Sequence, residues 1–217
     1  PLAAVFTLHQ RDIPLITVIT DLAPVHRLWF HKAADLCLVS VPAVRDQAID
    51  CGLTPEQVVV TGIPVHPNLT REERGPATVR AEMGWQPDLP TVLAVGSKRV
   101  KRLPGILSAL NHSGLPLQLI VVAGGDDALY QQFRDMEWHV PTYVYNFVDN
   151  MPILMHAADC IVCKAGGLIV TESLACGLPM ILIDIIPGQE TGNAEYVTAL
   201  GAADLAETPV AVLEGLN

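Results

Sequence analysis

Aromatic residues are scarce in this sequence: Phe, Trp and Tyr make up 5% of 217 residues. Charged residues are scarce as well, at 17% against the usual quarter. Half of the chain is hydrophobic, so its apolar content is mostly small and aliphatic. That mix suits parallel strands buried on both faces, which read as continuous Val/Ile/Leu runs. No apolar run reaches the roughly 18 residues needed to span a bilayer. No basic stretch followed by an apolar one leads to a cleavage site, so no signal peptide is expected. The first residue is Pro1, not Met, which reads as a piece of something longer.

Positive charge is in short supply. Thirteen Lys and Arg face 23 Asp and Glu, for a net charge of −10. Nucleic acid is therefore not an expected partner, because phosphate neutralisation dominates such binding. One stretch reverses the sign: Lys98, Arg99, Lys101 and Arg102 fall together in SKRVKR. Cysteines number five, an odd and scattered set, which points to a reducing compartment. Cys160 and Cys163 form a C-x-x-C pair inside the apolar run ADCIVC. No second pair of Cys or His completes a zinc site, so both are expected to be buried small hydrophobes and no metal is expected.

Apolar runs alternate with helical patterns throughout. The first third reads as a helix, strand 14–21, a helix around HRLWFHKAA, strand 36–40, helix AVRDQAIDC and strand 57–62. Residues 64–90 are rich in Pro and charge and read as a linker with a short helix, with a domain boundary near residue 67. The alternation then restarts with strand TVLAVGS and runs to a last helix, AEYVTALG. Strands joined by helices of this length give parallel sheets with right-handed crossovers. The expected fold is α/β, with the tail of one Rossmann-like domain at 1–66 and a second one at 67–217.

In such sheets ligands bind at the carboxyl ends of strands. Four loops leave those ends with unusual chemistry: GSKRVKR, YNFVDNM, KAGGLIVTE and DIIPGQETGN. In KAGG, Gly166 and Gly167 precede a helix. A helix start offers unpaired N–H groups and the positive end of the peptide dipoles, and glycine lets an anion approach closely. Glu172 lies five residues past Gly167, where a carboxylate aimed past the anion accepts hydrogen bonds from a vicinal diol. An ordinary strand-to-helix turn reads the same way. Ser97, Lys98 or Arg99 would face a diphosphate, or the run is a solvated basic loop. In the last loop, Pro187 and Gly188 force a turn. Gln189, Glu190 and Asn193 then present the groups that bind sugar hydroxyls, or simply start a helix.

The block KAGGLIVTESLACGLPMILIDIIPGQETGNAEYV resembles the donor-binding region of family-28 glycosyltransferases, which are GT-B enzymes. The PGQE-x-GN form resembles the diacylglycerol branch of that family. The likeness extends upstream through YNFVDNMPILMHAADCIVC, and looser through WFHKAADLCLVS and GLTPEQVVVTGIPVHP. The resemblance implies a UDP-sugar as substrate, no cofactor, a lipid acceptor, and transfer of a hexose with inversion. It places the diphosphate at Gly166 and Gly167 and near Ser97 and Lys98, and the ribose on Glu172. It places the uracil on backbone around Phe147 and Val148 with Met151 nearby, and the sugar on Gln189 and Glu190. Asn193 would support the loop that Pro187 and Gly188 open. The family's catalytic base belongs upstream of Pro1, and VGSKRVKR stands where relatives carry a glycine-rich loop.

The basic loop adds an anionic membrane surface as a partner, and the expected location is cytoplasmic, at the inner face of the cell membrane. His26, His31 and Asp21 would border the crevice, yet a His beside an aromatic pair is more often structural, and none is assigned as base. His66, His112, His139 and His156 have no evident partner. Two other enzyme readings and one without catalysis remain: a UDP-sugar epimerase of the same architecture, a nicotinamide-dependent oxidoreductase, and a nucleotide-sugar-binding module. VAGGDD argues against the oxidoreductase, because it puts two acids where a dinucleotide phosphate would sit.

Overall fold

The computed structural model describes residues 13–216. The helix expected before the first strand lies outside them. Three short parallel strands come first: β1 (Ile16–Val18), β2 (Leu36–Val39) and β3 (Val58–Val60), in the order β1-β2-β3. Helix α1 (Pro42–Asp50) joins β2 to β3 and buries Val44 and Ala48, one turn apart. Ile16, Val18 and Val59, which the register places on one face of this sheet, are exposed.

The helix expected around HRLWFHKAA is only a single 3-10 turn, Arg27–Trp29, with no buried residue. Helices draw most of their stability from a buried face, and this one has none. The Nδ1 atoms of His26 and His31 also accept from the amides of Leu28 and Ala33, local bonds that compete with helix.

The second body is a six-stranded parallel sheet. Its strands are β4 (Thr91–Val95), β5 (Gln118–Val122), β6 (Thr142–Tyr145), β7 (Cys160–Lys164), β8 (Met180–Asp184) and β9 (Ala203–Leu205), ordered β6-β5-β4-β7-β8-β9. The central strands are aliphatic because both faces are covered. Leu93, Ile120, Ile161 and Leu182 face one cluster with α2 (Pro76–Glu82), α5 (Met151–Ala157), α6 (Gly167–Cys176) and α7 (Thr191–Ala199). Ala94, Val121, Val162 and Ile181 face the other, with α3 (Leu103–Asn111), α4 (Asp127–Arg134) and α8 (Pro209–Gly215). Cys163 sits in the first cluster, and burial pushes its thiol up to about 12.

The stretch 64–90, linker-like in composition, is packed onto this second sheet. Leu69, Val79 and Trp85 join its core. Arg80 is buried and donates to the carbonyls of Ala157, Pro87 and Leu89. Leu22 and Ile63 from the first body enter the same cluster, while the first sheet keeps a cluster of its own around Cys37, Val39 and Val44. Strand β9 and helix α8 escape the sequence reading, because β9 has three residues, two of them exposed.

Candidate functional site

The strand order reverses direction between β4, which also pairs with β5, and β7, which also pairs with β8. Open α/β sheets bind ligands in the crevice at such a switch point. The loops leaving β4 and β7 carry Ser97 on one side and Ala165–Gly167 on the other. Gly166 has extended backbone angles as the cap of α6. The amides of Gly167, Leu168 and Ile169 open the helix and have no acceptor among the described residues. Lys164 reaches the same tip: its Nζ is 2.6 Å from where a Cβ on Gly166 would be.

Glu190 ion-pairs with Lys164 and accepts from the Ile186 amide at 3.1 Å through its other oxygen. It is 2% exposed. The carboxylate expected to read a sugar is thus turned inward and holds the loop to the helix tip. Pro187, Gly188 and Gln189 are exposed on that loop. Gly188 has φ 76°, which explains glycine in the turn. Asn193 is buried and bonded to Asp21, Leu22 and Ala165.

The remaining expected residues are more dispersed. The Ser97 hydroxyl accepts from the Arg99 amide at 3.3 Å. Lys98, Arg99 and Lys101 are exposed. Arg102 is committed elsewhere: its guanidinium donates to the Ile183 carbonyl at 3.0 Å and the Asp184 carboxylate at 3.2 Å. Glu172 is half-buried on α6; burial pushes its carboxyl up, while His66 pulls it partly back. Phe147 is 69% exposed, and Val148 and Met151 pack against the core.

An opening lies between the two bodies. A cavity of about 520 Å³ is lined by Asp21, Val25, His26, Trp29, Pro187, Gly188 and Gln189. A second, of about 280 Å³, shares Asp21, Trp29 and Gln189 with it. Glu172, Phe147 and Met151 line neither. His26 spends Nδ1 on the Leu28 amide, so only its Nε2 is left for the cavity. Trp29 was not singled out from sequence, where it reads as one aromatic of a short helix. Among the described residues no three His, Cys, Asp or Glu gather as a metal site, and no helix is long and apolar enough to cross a membrane.

Residues 92–214 match the model of the glycosyltransferase family 28 C-terminal domain, and residues 3–65 match that of monogalactosyldiacylglycerol (MGDG) synthase. The chain belongs to glycosyltransferase family 28. Monogalactosyldiacylglycerol synthase 3, chloroplastic, of Arabidopsis thaliana is 37% identical over 210 residues, which are 93% of this chain and 45% of that protein. The chain therefore spans about half the length of the curated relatives it matches. Two solved structures share the fold of this family-28 chain. MurG of Acinetobacter baumannii superposes with TM-score 0.61 at 21% identity, covering 99% of this chain and 59% of that one. The UDP-GlcNAc 2-epimerase of Methanocaldococcus jannaschii superposes with TM-score 0.64 at 13% identity, covering 99% and 65%. The fold is GT-B-like α/β with parallel sheets, as expected. The cytoplasmic location is corrected: the plant relatives are named as chloroplastic. Unpaired cysteines report a reducing environment, not which compartment supplies it.

Proposed function

We propose that this family-28 chain carries the donor site of a glycosyltransferase that moves a hexose from a UDP-sugar to a diacylglycerol-like lipid with inversion. One observation carries the reading: the three open amides of α6, with Lys164 beside them, lie at the switch point of the sheet. The matches to the two family models support the same reaction class.

In this reading the diphosphate rests on the amides of Gly167 and its neighbours. The negative charge that builds on UDP as the glycosidic bond breaks is stabilised by the helix start and Lys164. Ser97 and Lys98 approach the diphosphate from the β4 loop. Glu172, on the second turn of α6, accepts hydrogen bonds from the ribose hydroxyls. The backbone of Phe147 and Val148 holds the uracil, with Met151 beneath. Gln189 faces the cavity and binds the hexose, on a turn set by Pro187 and Gly188. The base that deprotonates the acceptor hydroxyl comes from outside residues 13–216. Lys98, Arg99 and Lys101 form a basic surface suited to anionic lipid headgroups.

The full-length protein containing this chain is assayed with UDP-galactose or UDP-glucose and diacylglycerol vesicles. UDP release that requires the lipid is expected. Conversion of UDP-GlcNAc without an acceptor would instead establish an epimerase. Calorimetry that detects no UDP binding would sink the donor site itself.

A further inference from the structure

Asn193 is 1% exposed, and both ends of its side-chain amide are used. Its Oδ1 accepts from the Leu22 amide at 2.6 Å. Its Nδ2 donates to Asp21 Oδ1 and to the Ala165 carbonyl, both at 3.0 Å. Two of these partners belong to the first body, 171 and 172 positions away. The third is the carbonyl just before Gly166, the cap of α6. One side chain thus joins the helix tip of the second body to a strand end of the first.

The neighbouring glycines keep that approach close. A Cβ on Gly192 would stand 2.5 Å from the Pro24 carbonyl oxygen and 2.6 Å from the Pro24 nitrogen. A Cβ on Gly167 would run into the Thr20 carbonyl and lie 2.8 Å from Asp21 Oδ1. Residues 20–24 therefore rest on α6 and α7 with no side chain of either glycine between. The same segment leads into the cavity wall of Asp21, Val25, His26 and Trp29, opposite Gln189.

We propose that Asn193 is a positioning residue: it clasps the Asp21–Leu22 turn so that this wall stays in register with the helix tip and Gln189. The proposal rests on the donor-site reading for its catalytic consequence, though the clasp itself does not. Asp21 serves here as an acceptor within the clasp. With the clasp broken, the diphosphate seat on α6 remains, but the wall drifts relative to it. Ground-state binding of the nucleotide then survives, while the aligned geometry needed for transfer is lost.

The test uses the full-length protein and a swap. Asn193→Asp keeps an acceptor for Leu22 but removes both donations and sets two carboxylates face to face. Adding Asp21→Asn returns a donor to the pair from the other side. Asn193→Asp is expected to lower kcat at least tenfold with the Kd for UDP within threefold, and the double variant to recover kcat at least fivefold over Asn193→Asp. Hydrogen exchange gives a reading that needs no nucleotide: the Leu22 amide should exchange at least tenfold faster in Asn193→Asp, with 118–122 unchanged. A kcat within twofold of the parent, or a double variant no better than the single, overturns the proposal. So does loss of UDP binding together with faster exchange throughout the second sheet, which marks a role in folding alone. A parent that fails to bind UDP refutes the donor reading, and the exchange at Leu22 then decides the clasp by itself.

Discussion

Lys164 and Glu190 meet as an ion pair at the start of α6, with the Glu190 side chain 3% exposed and that of Lys164 28% exposed. The pair spans 26 positions and ties the loop after β8 to the helix tip. It separates two neighbours that look alike in sequence: Gln189 faces the cavity and Glu190 faces inward.

Replacing Lys164 by Met leaves the Glu190 carboxylate buried without a counter-charge. Breaking a buried pair from one side costs about 3 kcal/mol or more, and urea denaturation of the variant should show a loss of that order. Gln189→Ala should weaken binding of a UDP-hexose but not of UDP. Glu190→Gln, at a position that lines neither cavity, should change both affinities by the same factor. A selective loss of UDP-hexose affinity in Glu190→Gln would return that residue to the sugar.

Glu172 should show opposite effects on stability and binding. Burial raises its carboxyl in the folded protein, so the folded state favours the protonated form. The stability this group contributes is present in full below the unfolded value, about 4.3, and is lost as pH rises through the raised folded value. Thermal melts of Glu172→Gln and parent should coincide near pH 4 and diverge toward pH 7, with the variant the more stable. Its UDP affinity should fall about tenfold, the worth of one charge-assisted bond. A variant that binds UDP as well as the parent would remove Glu172 from the ribose.

Gly192→Ala forces a methyl toward the backbone of Pro24. Overpacking of this kind costs about 1–3 kcal/mol, and here it falls on the contact between the bodies. The variant should melt earlier and become sensitive to protease around residues 20–25. Gly201→Ala, where a Cβ meets open space but φ is 68°, should carry only the backbone strain, about 1 kcal/mol. It should leave residues 20–25 protected.

Arg99 and Lys101 are exposed and stand apart from Ser97 and Lys98, so they separate the membrane reading from the donor site. Replacing Arg99 and Lys101 by Ala should weaken sedimentation with anionic vesicles at low salt by about 1 kcal/mol per charge. UDP binding should be unchanged. Equal sedimentation of variant and parent would discard the membrane reading.

The strands of the second sheet were legible because they are covered on both sides. TVLAV, QLIVV and MILID each carry four consecutive apolar residues for that reason. The helix start at Gly166 was legible because a glycine pair between an apolar run and a helical pattern leaves few other geometries. The turn at Arg27–Trp29 was not, since its apolar residues suggest a helical face that nothing covers. Glu190 was read as facing a ligand because a string of polar residues does not tell which side of a turn is buried. Asp21 and His26 were expected at the crevice and line the cavity, whereas Trp29 joined it only through the packing of the first body on the second.

Local chemistry along the chain thus determined the alternation of strands and helices, the parallel sheets and the helix start after Gly166. Those features depend on neighbours a few residues apart, through burial of each strand and the open amides of one helix. The partners of the polar side chains were decided only in three dimensions. Asn193 and Asp21 lie 172 positions apart, and no local rule brings them together. Their meeting follows from a first body packed on the switch point of the second, a contact set by Leu22 and Ile63 entering the second body's core and by backbone approaching two bare glycines.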